Sequence, residues 1–80
     1  MNAIEEQSFC VVQIEASFRN EIGEMTGLEV YAHVRTRLGG DAEAAETVLR
    51  DLKEKGEAMV GFKNSLGRET VIEIRRTAEK

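Results

Sequence analysis

The 80-residue sequence has no proline and no tryptophan, one cysteine, one histidine, three phenylalanines and one tyrosine. Each shortage removes a class of protein. A lone cysteine forms no internal disulfide, which fits a reducing compartment. One cysteine and one histidine, Cys10 and His33, cannot supply the three or four ligands of a usual zinc site without recruiting carboxylates. A thiol nucleophile would need its base within hydrogen-bond reach and a third group to orient that base. Cys10 is instead read as a core residue on the apolar face of a strand, and His33 as a surface residue one turn after Glu29. The loop Ile22 to Gly27 carries glycines but no lysine-serine/threonine continuation, so it is not a phosphate cradle. No apolar run approaches the roughly 18 residues of a membrane span, and the opening MNAIEEQSF is acidic where a secretory signal is basic. The expectation is a cytoplasmic protein that is not an enzyme and has no cofactor and no metal site.

What is present is a soluble-type composition, 41% hydrophobic and 32% charged, with a net charge of −4. The charge is uneven. Through Val30, six acids (Glu5, Glu6, Glu15, Glu21, Glu24, Glu29) face one base, Arg19, for −5, whereas from Tyr31 onward ten bases and nine acids give +1. An acidic field repels phosphate at long range, so contact with nucleic acid would require a local basic patch. A domain this small removes only about 60% of its unfolded surface from water, which leaves a margin of a few kcal/mol that a partner or a second copy would raise.

The stretch Leu38 to Gly56 organises the chain. Asp41 is placed to cap a helix from Ala42, and Ala45, Val48, Leu49 and Leu52 fall on one face of a 3.6-residue period. Lys53 and Lys55 suit its last turn, and Gly56 suits the left-handed closing position. Upstream, Thr26 and Glu29 match the capping-box spacing, so a first helix begins there; its apolar stripe is Val30, Val34 and Leu38 with Leu28 and Tyr31 beside them, and Gly39 ends it. After Gly56, Ala58, Val60 and Phe62 alternate, Asn64 to Gly67 form a turn, and Val71, Ile72 and Ile74 lie in a second β-rich run, which together read as a hairpin. Ser8 to Phe18 is compatible with a helix bearing Val11, Ile14, Phe18 and Ile22. The longer agreement is with a strand presenting Cys10, Val12, Ile14, Ala16 and Phe18 on one apolar face. Arg19 to Gly27 is read as a connector. The expected organisation is therefore a frayed lead-in over 1–7, in which Ile4 is the apolar residue beyond the start placed to dock, one α+β domain over 8–76 and a polar tail over 77–80. That domain is a small β-α-α-β-β arrangement with two short helices packed on a three-stranded antiparallel sheet.

The spacing of Leu38, Leu49, Leu52 and Gly56, followed by the hairpin, resembles a winged helix-turn-helix domain. There an apolar residue ends the first helix of the motif, two leucines anchor the recognition helix, and the hairpin is the wing. That resemblance implies a DNA-binding transcriptional regulator in which Thr47 and Arg50 on the second helix, Lys63 and Arg68 at the hairpin turn, and Arg75 and Arg76 at its end contact duplex DNA. An arginine at a wing tip suits the concentrated negative potential of a narrow minor groove. Against this, the positions that would meet the major groove include Glu43 and Glu46, whose carboxylates are repelled by phosphate. The stronger expectation is a small interaction module, an adaptor, inhibitor or regulator, that binds a protein partner and forms a homodimer through an exposed sheet edge. Its candidate contact residues are Glu21, Glu24 and Met25 in the acidic third and Leu66 at the hairpin tip, where an apolar side chain is out of place.

Overall fold

Two β-hairpins enclose a pair of helices in sequence: β1 (Ser8–Glu15), β2 (Phe18–Thr26), α1 (Gly27–Arg37), α2 (Ala42–Lys55), β3 (Glu57–Lys63) and β4 (Glu69–Arg76), in a computed structural model that describes residues 4–77. Both helices start where their sequences supply a cap. The Glu29 amide donates to Thr26 Oγ1 at 3.2 Å and the Thr26 amide donates to Glu29 Oε1 at 2.9 Å, a complete capping box. At α2 the Ala44 amide donates to Asp41 Oδ1 at 3.1 Å. Gly39 and Gly40 both take positive φ, 69° and 88°, which lets the chain turn from α1 into α2 within four residues, Leu38 to Asp41. Gly56 closes α2 at φ 78°, and its amide bonds the Leu52 carbonyl at 2.9 Å.

The strands form one antiparallel sheet in the order β2-β1-β4-β3, with β1 paired to β2 on one side and to β4 on the other. The sheet thus has four strands rather than the expected three. The additional one is β2, in the segment read as a connector. Two features hide it in the sequence. Its turn, Ala16 and Ser17, has no glycine or asparagine, although Ala16 adopts φ 56°. Its alternation is also interrupted, because Val11 pairs with Gly23 and Val12 with Glu21, leaving Ile22 as a bulge residue.

Both helices lie on one face of the sheet, α1 against β1 and β2, α2 against β3 and β4. Phe9, Val11, Ile72 and Ile74 from the central strands meet Val30, Val34, Ala45, Val48 and Leu52 in a core where every member is at most 4% exposed. Here the sequence reading of β1 is corrected. Its buried side is Phe9 and Val11; Cys10, Val12 and Ile14 point away from the helices, and Cys10 is exposed rather than in the core. Ala16 and Phe18 do not continue that face, since Ala16 is in the turn and Phe18 begins β2. Both alternating sets are apolar, and the exposed one is the longer in the sequence. The volume of Phe9 and the pairing of Val11 with Ile74 decide the other way.

Ile4, the one apolar residue of the lead-in expected to dock, packs against this core from a short 3₁₀ turn, Ile4–Glu6. At the far end the Thr77 amide donates to the Ser8 carbonyl at 3.0 Å, so pairing with β1 reaches the first residue of the expected polar tail. Residues 1–3 and 78–80 of the expected lead-in and tail lie outside the described residues.

The two faces of β1 separate by mutation. Phe9→Ala empties a fully buried site and should cost about 3–5 kcal/mol, whereas Val12→Ala on the outer face should cost about 1 kcal/mol. Urea unfolding followed by circular dichroism measures both; equal or inverted costs would refute the assignment of faces.

Candidate functional site

Helices cover one side of the sheet and no described element covers the other. The strand pairings arrange that open face in rows running across the strands in the order β2, β1, β4, β3. One row holds Glu24, Cys10, Arg75 and Glu57, and the next holds Glu21, Val12, Glu73 and Met59. The third holds Arg19, Ile14, Val71 and Gly61, and Glu69 with Lys63 begin a fourth. Val12, Ile14 and Val71 are half-buried neighbours at the centre, and Met59 beside them is 64% exposed. Glu73 takes the fourth central position, between Val12 and Met59, where Arg19 Nη1 reaches its Oε1 at 3.4 Å across β1; the other charges stand around this centre, with Arg75 Nε 3.9 Å from Glu57 Oε1. A shallow depression of about 170 Å³ lies on this face between Cys10, Val12, Arg19, Glu73 and Arg75.

The residues proposed from sequence are distributed as follows. Glu21 and Glu24 stand on the open face of edge strand β2, opposite Val12 and Cys10, and the Ser8 hydroxyl donates to Glu24 Oε1 at 3.4 Å. Met25, opposite Phe9, turns to the helix side and packs against the core. Leu66 is at the tip of the β3–β4 turn, 73% exposed, while its amide is held by Asn64 Oδ1 at 2.9 Å.

The basic residues are not gathered in one patch. Lys63 and Arg68 flank the turn, where Arg68 Nη1 is 3.3 Å from Glu15 Oε2. Arg75 and Arg76 sit at the other end of β4, a strand about 26 Å long at about 3.3 Å per residue. Arg76 faces the helices, where its Nη2 donates at 3.2 Å to the Leu52 carbonyl, which also accepts from the Gly56 amide. Thr47 and Arg50 are exposed on α2, with the Thr47 hydroxyl donating to the Glu43 carbonyl at 3.1 Å.

Cys10 and His33 are on opposite sides of the sheet, Cys10 on the open face and His33 on α1. Among the described residues no group of three His, Cys, Asp or Glu side chains is placed to hold a metal ion. The residues missed from sequence are the apolar centre, Val12, Ile14, Val71 and Met59, together with the charges set around it. Period-two alternation would have found them only if each strand's buried side had been known.

His33 is half-buried, and its Nε2 is a buried atom without a hydrogen-bond partner. Burial holds its pKa below the ordinary 6.5, and the Arg37 guanidinium one turn later adds to the depression. The unfolded chain therefore takes up this proton first. Stability conferred by neutral His33 is complete above about pH 6.5 and is lost as the pH falls from there through the lower folded value. His33→Gln should flatten that acid-side slope in denaturant midpoints measured between about pH 7 and 5; an unchanged slope would rule out His33 as its source. No family model matches the chain, and no curated protein or solved structure matches it significantly.

Proposed function

We propose that this domain is a non-enzymatic protein-interaction module that binds through the uncovered face of its sheet. The observation that carries the reading is the cluster of Val12, Ile14 and Val71, with Met59 diagonal to Val71, on the side away from the helices; Glu73 shares the centre in an ion pair with Arg19, and Glu21, Glu24, Arg75 and Glu57 stand around it. An apolar centre with a charged rim is the anatomy of a protein–protein contact surface, where desolvating the centre drives association and the rim sets partner and orientation. Two-layer domains bury one sheet face under their helices; here three of the four central residues of the second face, Val12, Ile14 and Val71, are also apolar.

The winged-helix reading would instead lay α2 and the β3–β4 turn on duplex DNA. Its support is the leucine and glycine spacing and the turn-flanking pair Lys63 and Arg68. The separation of those residues from Arg75 and Arg76, and the engagement of the Arg76 guanidinium with the Leu52 carbonyl, make protein the better-supported partner.

The test is affinity capture with matched baits. Met59→Lys should reduce retention of any protein, foreign or a second copy, by about tenfold or more, as the burial of a charge in an apolar contact requires. Leu28→Lys, on an equally exposed apolar residue of α1, should leave retention unchanged. Equal retention by wild-type and Met59→Lys baits would remove the open face from consideration. Capture of duplex DNA that falls steeply with salt and depends on Lys63 and Arg68 would establish the rival.

A further inference from the structure

We infer that the occupant of the open face is a second copy of this chain, packed sheet to sheet about a two-fold axis that lies in the interface and crosses the strands between the rows of Val12 and Ile14. The inference rests on reading that face as the binding surface. It follows from how the charges are ordered along each strand.

Rotation about such an axis reverses every strand against its own counterpart. On β3 the order Glu57, Met59, Gly61, Lys63 then sets Glu57 over the partner copy's Lys63 position and Met59 over its Gly61 position. The glycine leaves a gap in the facing surface where the exposed methionine can seat, and the exchange is reciprocal. On β4 the order Glu69, Val71, Glu73, Arg75 sets Arg75 over Glu69. Reversing β2 sets Glu21 over Arg19, and reversing β1 sets Val12 over Ile14. Three strands thus supply opposite charges, and β1 and β3 supply apolar contact, from one symmetry operation. Glu73 falls over Val71, the one mismatched position, and it keeps the Arg19 partner of its own chain.

The other two-fold compatible with facing sheets runs along the strands, and it fails on the same map. It sets β2 over β3, which brings Glu24 against Glu57, and β1 over β4, which brings Arg75 against Cys10 and leaves Arg75 and Lys63 facing no acid. Like charges at a rim oppose association, and the compensating opposite charges of the first axis are missing. Aligned sheets pack about 10 Å apart with strands rotated by about 30°, an offset that long glutamate, arginine and lysine side chains span at the corners.

The area is adequate. Four strands at about 4.8 Å spacing and about 25 Å long give a footprint of about 480 Å² per copy, or about 1,000 Å² in the pair, at the lower bound of a specific interface. The outcome would be a weak or concentration-dependent dimer in which each sheet becomes the second layer for the other.

Sedimentation equilibrium on the wild type should show dimer formation, and Glu57→Lys and Lys63→Glu should each weaken it about tenfold. The double variant carrying both changes should recover the wild-type constant. Within one chain Glu57 lies beside Arg75, and Lys63 is opposite Glu69, so the double swap creates two like-charge contacts. Effects confined to one chain would therefore accumulate, and recovery requires pairing between copies. A second measurement needs no variant. Alkylation of Cys10 should slow as protein concentration is raised through the dimer range, because the open face is then covered. A wild-type protein still monomeric at about 1 mM, which puts any dimer constant weaker than about 1 mM, overturns the inference, as does a dimer that the double variant fails to restore or a Cys10 rate independent of concentration. If the chain is monomeric while Met59→Lys still abolishes capture of a different protein, the face remains a binding surface and only its occupant changes.

Discussion

The pairing of β1 with β4 is the interaction on which the molecule depends. Each hairpin alone is a two-stranded ribbon, marginal in water, and neither has enough apolar surface to cover a helix. Joined through the register that sets Val11 beside Ile74 and Gln13 beside Ile72, they make a sheet wide enough to seat both helices. The helical pair straddles the junction, α1 over the first hairpin and α2 over the second. Buried side chains from both hairpins and both helices therefore meet at one place, and removing any of the larger ones loosens the junction itself.

The same junction explains why the second face is exposed. The α1–α2 unit leaves β2 at Thr26 and re-enters the sheet at Glu57, and the pairing of Ser8 with Thr26 and of Glu57 with Arg75 puts both points at one end of the sheet. A link that begins and ends there, with its reversal made by Gly39 and Gly40, covers one side and has no residues left for the other. The uncovered side then has to be stable in water or covered by something else. Its charges are compatible with water, and three of its four central residues, Val12, Ile14 and Val71, are apolar.

How much of this was legible in the residues depends on whether the signal is local. Helix starts and stops are set by side chains within a few residues of the backbone groups they satisfy, so Thr26, Glu29, Asp41 and Gly56 announced α1 and α2 with their bounds. The β3–β4 hairpin was legible for the same reason, since Asn64 holds its own turn through Leu66 and Arg68 amides. Strand β2 was not, because the Ile22 bulge breaks the alternation and Ala16 does a job usually left to glycine. The burial of β1 was not either. Phe9 and Val11 compete with Cys10, Val12 and Ile14 for the core, and only the pairing of β1 with strands distant in sequence settles which set wins. The open face inherits that difficulty: the charge of Glu21 and Glu24 is legible in the sequence, but their position beside Val12 and Cys10, and the packing of Met25 against the core, are properties of register.

The hydrogen bond from the Thr77 amide to the Ser8 carbonyl has an architectural consequence. The backbone enters and leaves the sheet through adjoining positions at the end remote from both hairpin turns. A unit built this way needs only a short gap in a host surface loop to be inserted without distortion. Grafting it onto larger assemblies would orient the hairpin turns outward and leave both sheet faces clear of the splice.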